Sequence, residues 1–371
     1  MYSDVSGNEV VNITLSQNQL ALSRNPQQKA IIFANKALKL GGDQQAVEAV
    51  LYSADDLDKY LVDSWTNSVM EMRSTVEGWF SQGNRSVTIR DIGNNRNSLS
   101  DLNDNCYIAI SGYVWSDLTT ANDLYVLLAN DYNSNSKACY GVAAIPFANF
   151  TNDNKRNLTN IKSLFTLATN DSSTMVQMGV GAIGYELSNY QPSVTNKVNP
   201  MTYRRLYNSE PLSDDDYRAN RHLQDDFYTN MLMSPPNDGS GARSLVYPGI
   251  MTDGNDFTYW YGIDYIRFTL ISNITNFLIE SANSKINPLY YNQDGIDRLK
   301  AKVNQIISNC AAYGIIQTNY RIDAISYYEY VTQNPDDYKN EVYGGISIEV
   351  SPLKALRKIR FSLQVTDLIA Q

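Results

Sequence analysis

Trp79-Phe80-Ser81-Gln82-Gly83-Asn84-Arg85-Ser86-Val87-Thr88-Ile89-Arg90-Asp91-Ile92 changes its apolar period half-way along. Upstream of it, Val69, Met72, Val76 and Phe80 recur at three- and four-residue spacing, with Trp65 and Trp79 beside them. That spacing predicts an amphipathic helix over 64–81. Gln82-Gly83-Asn84 stops the helix, and Ser86 to Ile92 alternates as a strand before Gly93. Helix, tight turn and strand are half of an α/β unit, so the expected fold class is α/β with α+β mixing. A mixed sheet should pack against helices.

Towards the N-terminus, Lys29 to Ala34 reads as a strand after a turn at Asn25-Pro26. Residues 45–52 fit strand or helix. Ser53-Ala-Asp-Asp56 has the form of a capping box opening a short helix to about Val62. Val10 to Leu15 alternates, with Val11, Ile13 and Leu15 on one face.

Towards the C-terminus, 94–157 is rich in Asn, Asp and Ser, with short apolar runs at 107–114, 124–129 and 140–147. It reads as an inserted peripheral subdomain. Leu158 to Ala168 fits a helix, with Ile161, Leu164, Phe165 and Ala168 on one side. The clearest helical spacing covers 257–281 and, after Asn287-Pro288, 293–313, where Gly314 stands as the C′ residue. These two helices and 64–81 are expected on one sheet containing 86–92. The tail alternates again at Tyr320–Val331, Gly345–Val350 and Ile359–Val365. The division expected is an N-terminal arm 1–18, a core in two parts (19–93 and 158–345), the insertion 94–157, and a C-terminal arm 346–371.

The 371 residues are 43% hydrophobic and 19% charged, which excludes general disorder. No run approaches the ~18 apolar residues of a membrane span, and acidic residues stand where a secretory signal carries basic ones. A net charge of −9 argues against binding nucleic acid or anionic lipid through the general field. Cys106, Cys139 and Cys310 are widely spaced and read as buried free thiols of a reducing compartment. A single histidine, His222, excludes multi-histidine metal sites. The 27 tyrosines suit surfaces that meet other protein.

Few residues invite chemistry. Gly179-Val-Gly-Ala-Ile-Gly184 matches a dinucleotide fingerprint, but Pro192 shortens any following helix and no acid stands about 20 residues on. Close packing of small residues is the plainer reading. Carboxylates at Asp214–Asp216, Asp225-Asp226 and Asp336-Asp337 could supply a glycosidase pair or a calcium site, although such runs in polar loops are usually solvated. His222 reads as a surface contact. N-x-S/T triplets at Asn12, Asn84, Asn149, Asn157, Asn170 and Asn273 are what an Asn-rich chain produces by chance. No cofactor or metal is expected. Lys354, Arg357, Lys358 and Arg360 form a basic cluster in an acidic chain, either a solvated face or a patch for an acidic protein partner.

Four stretches carry a resemblance. They are Leu51-Tyr-Ser with the helix closing on Trp79-Phe-Ser-Gln and the strand Ser86-Val-Thr-Ile-Arg; Thr202-Tyr-Arg-Arg-Leu; Tyr261-Gly-Ile-Asp-Tyr-Ile-Arg267; and Asn287-Pro-Leu-Tyr-Tyr-Asn-Gln-Asp-Gly-Ile-Asp-Arg-Leu with its helix ending Ala312-Tyr-Gly-Ile-Ile316. Together they resemble the tail sheath proteins of contractile-tailed bacteriophages, in particular the short sheath-like family of small myoviruses. The region 94–157 departs from that family's usual inserted domain.

The resemblance implies a non-enzymatic virion tail protein, assembled in the host bacterial cytoplasm. It implies stacked hexameric rings of copies around a tail tube, in contact with baseplate and tail terminator proteins, that contract to drive the tube through the envelope. On that reading Val11, Ile13, Leu15, Ile359, Phe361, Leu363 and Val365 add strands to neighbouring copies, and Lys354, Arg357, Lys358 and Arg360 face the tube. The alternatives are another tail, baseplate, tube or capsid protein, or a glycan hydrolase using Asp215 or Asp225.

Overall fold

The computed structural model describes residues 26–39, 48–63, 65–92, 106–119, 122–134, 139–159, 161, 163–170, 174–236, 239, 241–354, 356 and 357. Their centre is a six-stranded sheet. In chain order its strands are β1 (Ala30–Ala34), β2 (Glu48–Leu51), β3 (Val87–Asp91), β4 (Ile108–Ser111), β5 (Tyr140–Pro146) and β6 (Leu164–Thr169). In space they run β2-β3-β1-β4-β5-β6. All neighbours are parallel except β2, which pairs antiparallel with β3 at one edge.

The parallel strands are buried at nearly every position because both faces are covered. One row crosses the whole sheet in register, from Ala49 and Ile89 through Ile32 and Ile110 to Val142 and Phe165. Helices α1 (Asn67–Gln82) and α4 (Thr174–Ser188) cover that row with Val69, Met72, Val76, Trp79, Val180 and Ile183. Ile31, Phe33, Ala109, Ala143 and Leu164 point the other way. They meet α2 (Asp123–Ser134), α3 (Asn152–Thr159) and the buried Trp115.

Glycines let α1 and α4 cross closely. A methyl group at Gly181 would lie 1.8 Å from the Thr75 carbonyl oxygen, and one at Gly78 would lie 2.0 Å from that of Met178. The Gly179–Gly184 pattern is therefore the interior of a helix, packed through its small residues.

A three-stranded antiparallel sheet of β7 (Arg205–Leu206), β8 (Met231–Met233) and β9 (Ser244–Tyr247) sits beside β6. Buried Asn230 joins them. Its amide donates to the carbonyls of Thr166 and Ile250, and its oxygen accepts from the amides of Gly249 and Ile250. Two short helices, α5 (Asp214–Asn220) and α6 (His222–Asp226), precede β8.

Helix α7 (Phe257–Ala282) links two cores. Phe257, Tyr261 and Phe268 join the sheet core, whereas Ile266, Leu270 and Ile274 pack on Val303, Ile306, Ile307 and Cys310 of α8 (Gln293–Ala312). Gly314, at φ +73°, ends that helix as expected.

Three expectations change. Residues 108–111 and 140–146 are inner strands of the sheet, so 94–157 is not a peripheral insertion. Residues 158–168 are not one helix: α3 ends at Thr159 and β6 starts at Leu164. Helix α8 lies in the second core rather than on the six-stranded sheet.

Candidate functional site

Beyond α8 the chain forms a two-stranded antiparallel ribbon from β10 (Arg321–Ala324) and β11 (Ile346–Glu349). Alternation sorts its side chains. Ile322, Ala324, Ile346 and Ile348 are half-buried, and Ile322, Ile346 and Ile348 lie against the second core; Arg321, Asp323, Ser347 and Glu349 are exposed. Each strand has one neighbour among the described residues. The Ile325 amide donates to the Gly345 carbonyl at 2.9 Å. Antiparallel pairs alternate between bonded and non-bonded, so Ile322 and Ile348, opposite one another, turn their amides to the outer edges of the ribbon.

Tyrosines hold the excursion between the two strands. Helices α9 (Tyr327–Gln333) and α10 (Pro335–Lys339) lie within it. Tyr330 donates to Asp337 at 2.6 Å and accepts from the Gly344 amide at 2.8 Å. Tyr343 and Tyr291 donate to the carbonyls of Ile325 and Val342. A large share of the tyrosines thus makes internal contacts, while Tyr52, Tyr290 and Tyr328 stay exposed.

After β11 the chain remains tied to the body. The Gln317 amide donates to Ser351 at 2.8 Å, the Leu353 amide to Ile315 at 3.3 Å, and the Tyr203 hydroxyl to the Arg357 carbonyl at 3.0 Å. Residues 346–353 therefore belong to the body, and a C-terminal arm cannot start at 346 as expected. Of the basic cluster, Lys354 is exposed, but Arg357 turns inward to pair with Asp256 at 2.8 Å, where Asp256 is only 5% exposed. Lys358 and Arg360 lie outside the described residues, as do Val11, Ile13, Leu15, Ile359, Phe361, Leu363 and Val365.

A buried polar junction has no counterpart among the sequence-based expectations. Asp264 of α7 accepts from the hydroxyls of Tyr140 at 2.7 Å and Tyr107 at 3.0 Å. Gln27 donates to the Tyr107 hydroxyl and to the Tyr261 carbonyl. The junction binds α7 to the starts of β4 and β5. Burial pushes the Asp264 carboxyl up to about 6, opposed by the two tyrosine hydrogen bonds and by Arg267. Burial likewise pushes both tyrosines well above their ordinary range. A signal was present: Asp264 lies three residues after Tyr261 and four before Phe268, on the buried stripe of an apolar helix.

The remaining acids have local roles. Asp214–Asp216 form the first turn of α5, capped by Ser213, where the helix dipole favours negative charge. Asp336 and Asp337 do the same for α10. His222 is exposed. Among the described residues, no helix is long and apolar enough to cross a membrane.

A subunit of the anti-feeding prophage helical sheath in its contracted state superposes with a TM-score of 0.50 at 10% identity, covering 96% of this chain and 99% of that one. The fold is that of a contractile sheath subunit. The sheath tail protein of Listeria innocua is also similar, with a TM-score of 0.47 at 10% identity over 90% of this chain and 94% of that one. No family model and no curated protein sequence matches the chain.

Proposed function

We propose that the chain is the sheath subunit of a contractile tail, a structural protein whose copies polymerise in stacked hexameric rings around a tail tube. It is assembled in the bacterial cytoplasm and contracts to drive the tube through an envelope, in contact with baseplate and terminator proteins. The observation that carries the reading is the two-stranded ribbon, on a chain of which 96% is covered by the likeness to a sheath subunit.

A ribbon of two short strands is marginal alone and, among the described residues, offers unpaired backbone groups at both edges. Its apolar face is half covered, so a wider sheet would complete it. The strands that would widen it are the alternating segments around Val11–Leu15 and Ile359–Val365, supplied by neighbouring copies. A strand given by each copy to the next is a head-to-tail contact that does not close on itself, which builds a helical array.

The test is electron microscopy of the purified protein with and without residues 1–18. Full-length protein should form hollow tubes, and the truncated protein should stay a folded monomer. Tubes from the truncated protein would overturn the reading.

A further inference from the structure

Cys106 stands two residues before β4 and Cys139 directly before β5, two neighbouring parallel strands of the central sheet. Their sulfurs are 3.7 Å apart, and both residues are buried, at 1% and 5% exposure. The backbone is pinned there, because the Tyr140 amide donates to the Tyr107 carbonyl at 2.8 Å. The register puts Cys139 level with Tyr107, one residue out of step with Cys106. A strand spacing of about 4.8 Å and a rise of about 3.3 Å then place the two Cα atoms roughly 6 Å apart, inside the roughly 4.4–6.8 Å that a disulfide spans. Bond formation needs side-chain rotation that brings the sulfurs to about 2.05 Å, with no change of strand pairing. Cys310 is in the other core, where burial pushes its thiol up to about 12.

We propose that Cys106 and Cys139 are an oxidation site that closes to an intrachain disulfide when the protein meets a peroxide-type oxidant, with Cys310 left as a thiol. One thiolate attacks the peroxide, the O–O bond breaks, and a sulfenic acid and water form. The second thiol attacks that sulfur, the S–O bond breaks, and a second water leaves with the disulfide. Peroxide takes two electrons and each thiol gives up its proton. The bond joins residues 33 positions apart, closing a loop that holds β4 and α2, and so constrains the unfolded chain. The site depends on the geometry of one subunit and not on assembly.

The experiment exposes full-length protein to hydrogen peroxide and maps its peptides by mass spectrometry without reduction. Expected are a Cys106–Cys139 linked pair two daltons lighter than the thiols, a thiol titre falling from three to one, and a Tm that rises and returns with dithiothreitol. Cys106→Ser should keep both remaining thiols unpaired and show no rise in Tm; the wild-type peptide map decides the matter if that variant does not fold. Three thiols persisting, pairing through Cys310, links between chains, or sulfinic acid in place of the pair would each overturn the proposal.

Discussion

Asp264 carries a proton at a pH where an exposed carboxyl has lost it. Its folded value, about 6, lies above the ordinary 3.8, so between those values the native chain binds a proton that the unfolded chain does not. Stability from this group therefore falls as pH rises from about 4 to 6, and stays reduced above. Asp264→Asn keeps an acceptor for Tyr107 and Tyr140 without the buried charge. At pH 7 the variant should gain at most about 3 kcal/mol on the wild type, because ionising the buried carboxyl costs about 1.4 kcal/mol for each pH unit that separates its folded and unfolded titrations. The difference should shrink towards pH 4. Urea unfolding of both proteins at several pH values checks this, since the other titrating groups cancel between them. A difference that is flat with pH would show that burial does not perturb the carboxyl.

The ribbon makes its prediction at the level of the strand. The Ile348 amide points to the outer edge, so Ile348→Pro removes a donor for an added strand while the β10–β11 hydrogen bonds persist. Such a subunit should fold, with a loss of about 1–2 kcal/mol from the half-buried isoleucine, yet form no tubes in the microscope. Ile348→Val should assemble normally. Tubes from the proline variant would place the growing contact elsewhere.

Helices and strands with one exposed face were legible in the sequence: the helices at 67–82, 257–282 and 293–312 and the strand at 346–349 stood within a few residues of expectation. So did two buried strands, 30–34 and 87–91, because a turn signal beside each marked its end. The other three buried parallel strands were not legible. Leu164 to Thr169 is buried on both faces, so its apolar residues also satisfied helical spacing and the strand merged with α3. Residues 108–111 and 140–146 were short apolar runs among polar loops, and nothing local says that such runs meet at the centre of a sheet. Of the candidate site, the second ribbon strand was visible by alternation. The inward turn of Arg357 was not, because Asp256 lies about a hundred residues away in the chain.

For the whole subunit, the proposed grip on the tube loses Arg357, which is paired within the body, and keeps Lys354, with Lys358 and Arg360 outside the described residues. Lys354→Glu should leave folding unchanged and weaken attachment of sheath to tube, with tube-free sheath accumulating. Wild-type attachment should itself weaken as salt rises above about 0.1 M, where exposed charges are screened beyond roughly 10 Å. Co-sedimentation of sheath with its tube across a salt series measures both effects. Salt-insensitive attachment, unchanged in the variant, would remove Lys354 from the contact.

Helix α7 has a mechanical consequence. It is clamped near Asp264 and runs on to Ala282 alongside the core that bears the ribbon. Those eighteen residues make a lever about 27 Å long at 1.5 Å per residue, so a tilt of about 10° at the pivot sweeps its tip through roughly 5 Å. That travel equals the spacing between neighbouring strands, about 4.8 Å. A rotation small enough to leave the central sheet intact is thus geared up, at the far end of one helix, to a whole strand's width.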